Sequence, residues 1–421
     1  MNIKNSLFGR HLRSHFLLDP EYVSLNHGSF GTMPKILMPL LNDLRLKAEV
    51  NPDRWLRRDM FPEIEKNKKT LANMIYADPE ELVFVFNAMT GINTVVRSLP
   101  MKRGDKIIYF STAYNSVEST IKFLKDSREF KLVRIDLIYP LNDNDILNML
   151  KETIELENSK GDGTIKLCFI DAISSLPGVR FPFESAVKLV REYNILSLVD
   201  GAHAIGQIPL NLHDIDPDFF ITNCHKWLFA PRGCAVLYVP FRNQRYVHPA
   251  IINSAYTDHS DPSDKTASFQ QEFAWPGTTD FSNFMCINKA VEFREMLGGE
   301  DAIMNYCHNL ALEGGKVAAK VFSSAEEAAI LENSENNLTV AMVNVKIPLR
   351  SNLIHISDIE VINLFIDKLL LEHNCMAPVY KHNNIWYTRL SAQIYNDISD
   401  FEVVAKAILQ VCKETENLKK E

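Results

Sequence analysis

A carboxylate at the end of one buried strand and a lysine just past the end of the next can hold an aldehyde cofactor and draw electrons into it. The run Ile195-Leu196-Ser197-Leu198-Val199 ends on Asp200, followed by Gly201-Ala202-His203. A second apolar run, Phe219-Phe220-Ile221, leads into Asn223-Cys224-His225-Lys226-Trp227. A lysine amine condenses with the aldehyde of pyridoxal phosphate. An acid facing the pyridine nitrogen keeps that nitrogen protonated, which makes the ring an electron sink. Lys226 and Asp200 are therefore the expected catalytic pair, and the expected chemistry passes through a carbanion on an amine substrate.

Phosphate and carboxylate need their own partners. The segment Phe86-Asn87-Ala88-Met89-Thr90-Gly91 joins a strand to a helix, and its small residues let backbone N–H groups approach a phosphate at the helix N-terminus. Ala88, Met89 and Thr90 are the expected contacts. Asn223 and His225 flank the lysine and can reach the same phosphate. Arg389, in Arg389-Leu390-Ser391, offers a guanidinium fork that matches an α-carboxylate, so an α-amino acid substrate is expected. Arg57 and Arg58 could meet a second acidic group, although a solvated helix face explains them as well.

Asp200-Gly-Ala-His203 and His225-Lys226-Trp227 resemble the class V aminotransferases of fold type I. That superfamily includes cysteine desulfurases, isopenicillin N epimerase and the sulfoxide lyases of ergothioneine synthesis. The resemblance spans Asn26 to Asn396 and implies a homodimer with shared active sites. It places His203, as a catalytic residue, and Ser175 near the phenolic oxygen of the cofactor, and Tyr114 against its ring. Trp275-Pro-Gly-Thr-Thr-Asp280 resembles the W-x-G-T-x-D loop of the epimerase-like branch, in which Thr278 or Thr279 contacts the phosphate of the other subunit. The arm Asn26-His27-Gly28-Ser29 follows the same branch, and Asn26 and His27 are expected at the substrate. Arg389 to Asn396 resembles the R-x-S-x-x-x-Y-N segment that holds the substrate carboxylate.

Several reactions run on this scaffold. The expected one is C–S cleavage of cysteine or a cysteine S-conjugate, with hercynylcysteine sulfoxide, in ergothioneine biosynthesis, the most specific substrate implied. Cys375, in His373-Asn-Cys-Met-Ala-Pro378, opens an alternative. Its spacing resembles that of a desulfurase cysteine, which accepts the sulfur and must be exposed and partly thiolate. Pro378-Val379-Tyr380 instead follows the lyase and epimerase branch. Epimerisation, transamination and a non-enzymatic scaffold complete the alternatives, and a scaffold is expected to lose Lys226, Asp200 or Arg389.

These residues must be positioned by alternating strands and helices. Strands are expected at 82–86, 106–110, 132–135 and 167–170, with helices at 91–99, 117–125 and 185–193. Such alternation implies an α/β fold with a mostly parallel sheet covered on both faces and ligands at the carboxyl ends of the strands. Asn87, Ser111, Asp171 and Asp200 sit at such ends. After about residue 290 the pattern becomes a smaller α+β unit, with helices at 290–297, 302–322, 359–371 and 400–412 and strands at 339–345 and 386–390. The expected division is an N-terminal arm to 34, a large cofactor-binding domain at 35–290 and a small C-terminal domain at 291–421. Segments 158–164 and 257–268 are polar and expected to be loops.

With 421 residues, 46% of them hydrophobic, the chain can bury a large core. The net charge of −8 argues against nucleic acid or an anionic membrane as a partner. The seven cysteines, several in apolar runs, suit reduced buried thiols, and no pair has zinc-ligand spacing, so no metal is expected. The N-terminus has no apolar secretory core. A cytoplasmic protein is expected, with a mitochondrial one as the alternative.

Overall fold

The computed structural model describes residues 8–258, 268–323, 329–350, 353 and 356–417. Most of the expected 257–268 loop lies outside them. A seven-stranded sheet forms the centre. Its strands are β2 (Leu82–Val85), β3 (Lys106–Phe110), β4 (Lys131–Ile135), β5 (Ile165–Asp171), β6 (Leu196–Asp200), β7 (Phe219–Thr222) and β8 (Ala235–Tyr238), in the order β2-β8-β7-β6-β5-β3-β4. All pairs are parallel except those made by β8, which runs against both its neighbours.

The near-continuous apolar character of β5 and β7 follows from burial on both faces, the usual condition of parallel strands. Along β5 the side chains alternate. Leu167 and Phe169 pack with Ile92 and Val95 on one face, and Cys168 and Ile170 pack with Val187 and Val190 on the other. The helix Ala88–Ser98 contributes Ala88, Ile92, Val95 and Val96, a helical spacing that forms one apolar stripe. It starts three residues before the expected 91, because Asn87 Oδ1 accepts from Thr90 N at 2.8 Å and caps the first turn there.

The C-terminal region carries its own small antiparallel sheet, β11 (Val379–His382), β12 (Ile385–Ser391) and β9 (Met342–Lys346), in that order. Helices Gly299–Phe322, Asp358–Leu371 and Ile398–Glu416 cover it over a second core that includes Phe365, Trp386, Leu390 and Phe401. The N-terminal arm is tied to this region. Its short strand β1 (Val23–Ser24) pairs in parallel with β10 (Cys375–Met376). The expected elements all form, with shifted ends. The helix expected at 185–193 is Phe183–Glu192, that at 400–412 is Ile398–Glu416, and the polar stretch from 158 begins inside the helix Asp143–Ser159. Among the described residues no helix is long and apolar enough to cross a membrane.

Candidate active site

The carboxyl ends of β2, β5, β6 and β7 open into a cavity of about 350 Å³. Lys226, Asp200, His203, Tyr114 and Arg389 all line it, so residues from distant parts of the sequence meet in one place. Ser29 and Phe30 from the arm and Pro378 from the C-terminal region contribute to the wall.

Lys226 lies in the loop after β7, which is held by backbone bonds. His225 N donates to Cys234 O at 3.1 Å and Ala230 N to Cys224 O at 3.1 Å. From behind, the buried Arg294 guanidinium donates to the carbonyls of Trp227 (2.7 Å) and Gly206 (3.1 Å) and is paired with Glu300. Burial of the Lys226 amine, reinforced by the nearby Arg389 cation and opposed by Asp200, pushes its pKa down to about 7. A substantial fraction is therefore free amine near neutrality, the form that attacks an aldehyde.

Asp200 is buried at the end of β6, where its Oδ1 accepts from Ala202 N at 2.9 Å. Desolvation raises its pKa, while the Ala202 bond and Lys226 oppose the rise. Asp171 pairs with it in register on β5. Asp171 has the weaker support, a 3.4 Å contact from Thr112 Oγ1, and both burial and the Asp200 charge push its pKa well up. Burial and the Asp200 charge thus favour the neutral form of Asp171, and Asp200 is the carboxylate of the two that a neighbouring cation can hold ionised.

Arg389 on β12 is fully buried. Its Nη1 donates to Ser175 O at 2.9 Å, and its Nη2 donates to Asn26 Oδ1 at 3.2 Å and Ser29 Oγ at 3.1 Å. Its Nε has no partner. Burial lowers its pKa only to about 10, so the fork keeps its charge. Ser175, expected beside a phenolic oxygen, lines the cavity but has its carbonyl engaged by Arg389. Asn26 reaches the substrate region through Arg389 and is not itself among the cavity-lining residues.

The structure engages two sets of expected contacts elsewhere. His27 does not face the cavity that contains Lys226. Its Nδ1 is 2.9 Å from Tyr395 Oη and its Nε2 is 2.9 Å from the Lys226 carbonyl, so both ring nitrogens are spent fastening the arm, one to the C-terminal region and the other to the lysine loop. Ala88 N–H is not available to a phosphate, because it donates to Asn223 Oδ1 at 2.9 Å, which also occupies that oxygen of Asn223. Thr90 N–H is likewise spent on Asn87, leaving Met89 N–H as the amide of that turn without a partner among the described residues. Thr278 and Thr279, expected at the phosphate of the other subunit, do not line the cavity that contains their own Lys226, and Thr278 lines a separate one with Arg57, Arg58 and Trp275. His225 does line it. Its Nδ1 donates to Cys234 O at 2.9 Å, so its Nε2 is the nitrogen left for a ligand.

Sequence reasoning passed over Trp227, although it is the residue after Lys226. Its Nε1 donates to His203 Nδ1 at 3.3 Å, and His203 Nε2 lies 3.2 Å from Lys226 Nζ. It also passed over Arg294, which no local pattern marks.

The residues present fit pyridoxal phosphate. They supply a buried amine of lowered pKa, a buried carboxylate, an exposed tyrosine ring at the wall, an unpartnered amide at a helix N-terminus, and an arginine with a free Nε. Among the described residues no cluster could hold a metal ion.

The arm closes over this site through Gly31, whose φ is +63°. A Cβ there would sit 1.9 Å from the His225 carbonyl oxygen. Gly31→Ala should therefore destabilise the protein by roughly 2 kcal/mol or more through left-handed strain and clash. Denaturant melts of the two proteins check this, and equal midpoints would mean that the arm does not depend on this close approach.

A model of the family described as aminotransferase class-V matches residues 53–404. The chain is 32% identical to a hercynylcysteine sulfoxide lyase of Schizosaccharomyces pombe, over 97% of this chain and 99% of that protein. It is 30% identical to an L-cysteine desulfhydrase-like protein, lolT1, of Epichloe uncinata, over 99% of this chain and 98% of that one. Among solved structures it is similar to a lysine-to-alanine variant of C-DES with glycine covalently linked to its pyridoxal phosphate cofactor. The TM-score is 0.76 at 15% identity, covering 94% of this chain and 98% of the other.

Proposed function

The chain belongs to the aminotransferase class-V family, and from that premise we propose that it is a pyridoxal phosphate-dependent C–S lyase that cleaves a cysteine S-conjugate, with hercynylcysteine sulfoxide as the preferred substrate. The assignment of that substrate is supported by similarity along almost the full length of the yeast lyase. On this reading the protein acts in ergothioneine biosynthesis, in the cytoplasm.

Bound in the cavity, the cofactor supplies an electron sink for the charge left on the substrate α-carbon. The chain supplies the rest. Arg389 receives the α-carboxylate on its buried fork, exchanging its contacts with Asn26, Ser29 and Ser175 for the substrate. Lys226, once released, is the amine that takes the α-proton, for which a pKa near neutrality is well matched. Asp200 is the residue that would keep the pyridine nitrogen protonated. The C–S bond then breaks, with the electron pair leaving on sulfur, and the three-carbon remainder hydrolyses to pyruvate and ammonia. Thr278 and Thr279, away from their own Lys226, would complete the phosphate site of a second copy in a homodimer.

The observation that carries lyase over desulfurase is the position of Cys375. It lies on β10, paired with β1, with 0% of its surface exposed, and burial pushes its thiol up to about 12. A sulfur acceptor needs an accessible thiolate. A scaffold without activity would have no reason to retain Lys226, Asp200 and Arg389 around one cavity.

Cys375→Ala should therefore keep most of the activity, and the organic product should be pyruvate. The test is product analysis of wild type and variant with cysteine and with sulfoxide conjugates. An inactive variant together with alanine as the wild-type product would replace the lyase by a desulfurase.

A further inference from the structure

The four nitrogens that run from Trp227 through His203 to Lys226 constrain one another's protons. Trp227 Nε1 lies 3.3 Å from His203 Nδ1, and His203 Nε2 lies 3.2 Å from Lys226 Nζ. An indole N–H can only donate. His203 Nδ1 must then present its lone pair, which puts the proton of the neutral ring on Nε2. The ring is neutral because it is buried, and the neighbouring Lys226, Arg389 and His27 push its pKa down further. Its Nε2–H is therefore aimed at Lys226 Nζ. An ammonium has three donors and no lone pair, so only the unprotonated amine can accept this bond.

We propose that Trp227 is a positioning residue which, by fixing the tautomer of His203, keeps Lys226 as the free amine that captures an aldehyde cofactor. A hydrogen bond made only to the neutral form disfavours the charged one. The other groups facing the lysine do not dictate this outcome alone. Asp200 on β6 favours the ammonium, and Arg389 on β12 opposes it. Burial and the Asp200 charge push the pKa of Asp171 on β5 well up, which favours its neutral form. His27 on the arm is held neutral by burial, with a pKa near 4. His225 is turned to Cys234, and Arg294 is paired with Glu300. The indole is buried and contacts the His27 ring at 5.2 Å between centroids, so it has little freedom to turn away from His203.

Without the indole N–H, His203 is free to carry its proton on Nδ1. Its Nε2 then becomes an acceptor, and the ammonium is stabilised in place of the amine. The loss of one net hydrogen bond to the neutral amine is expected to raise the pKa of Lys226 by about one unit.

The inference rests on Lys226 being the reactive amine of the proposed lyase, but it involves no substrate. It is tested on the apoenzyme by trace acetylation with acetic anhydride across a pH series. Acetyl incorporation at Lys226 is read by mass spectrometry against exposed lysines. Wild type should reach half-maximal labelling near pH 7. Trp227→Phe should move the midpoint up by about one unit. Because phenylalanine leaves a gap in a packed interior, a second protein replaces Trp227 by benzothienylalanine, which keeps the bicyclic shape and has sulfur in place of the N–H. The same upward shift in this isostere supports the proposal. An unchanged midpoint in the isostere overturns it, whether or not the phenylalanine variant folds. Neither result bears on the lyase reaction, which is decided separately by the pyruvate assay.

Discussion

Lys226→Ala is expected to abolish the covalent attachment of pyridoxal phosphate altogether. Among the described lysines, Lys226 alone lines the cavity containing Asp200 and Arg389. Its amine is already desolvated, with a pKa pushed down to about 7. Desolvation beside a cation is a general route to a nucleophilic amine at neutral pH. The wild-type holoenzyme should absorb near ~420 nm, and borohydride should fix a pyridoxyl group on the Lys226 peptide. The variant should carry no reducible adduct and show no turnover. Alanine leaves a void beside His203, but the loop itself is held by backbone bonds and by Arg294, so the fold should survive. A reduced adduct found on another lysine would sink the assignment.

The second large effect is expected at the acid. Asp200→Asn keeps the side-chain shape and the oxygen that accepts from Ala202 N–H, so cofactor binding should persist. The amide carries no charge, and a pyridine nitrogen beside it would lose its proton. Carbanion chemistry should then fall by several orders of magnitude, on the order of 10³-fold or more in kcat, since the ring is an electron sink only when protonated. Asp171 cannot substitute. It stands one strand away, and burial pushes its pKa well up, which favours the uncharged acid. Steady-state kinetics with the bound cofactor followed by absorbance checks this. A kcat within a few-fold of wild type would show that Asp200 is not the partner of the ring.

Much of this site was legible in one dimension because parallel strands are buried on both faces. Their apolar runs therefore stand out, and the polar residues that end them mark the rim where ligands bind. Asp200 and Lys226 were found in this way, and Arg389 by the residues around it. The amide cap at Asn87 was also local, needing only an acceptor three residues before its donor.

The tertiary structure alone decided which donors and acceptors remained free for chemistry. The bond from Ala88 to Asn223 joins residues 135 apart, and that from His27 to the Lys226 carbonyl joins residues 199 apart. Neither partner carries a local sign of the other, so two expected ligand contacts proved to be structural ties. The burial of Cys375 is likewise a tertiary property. Its spacing fits a sulfur acceptor, but pairing of β10 with the distant β1 buries the thiol and raises its pKa. The amino-acid sequence by itself determined the residue types, their order and the strands that bring them to one rim. Which of those groups keeps a lone pair, a proton or access to a ligand depended on long-range hydrogen bonding and burial, because a buried polar group must find its partner wherever the fold happens to place one.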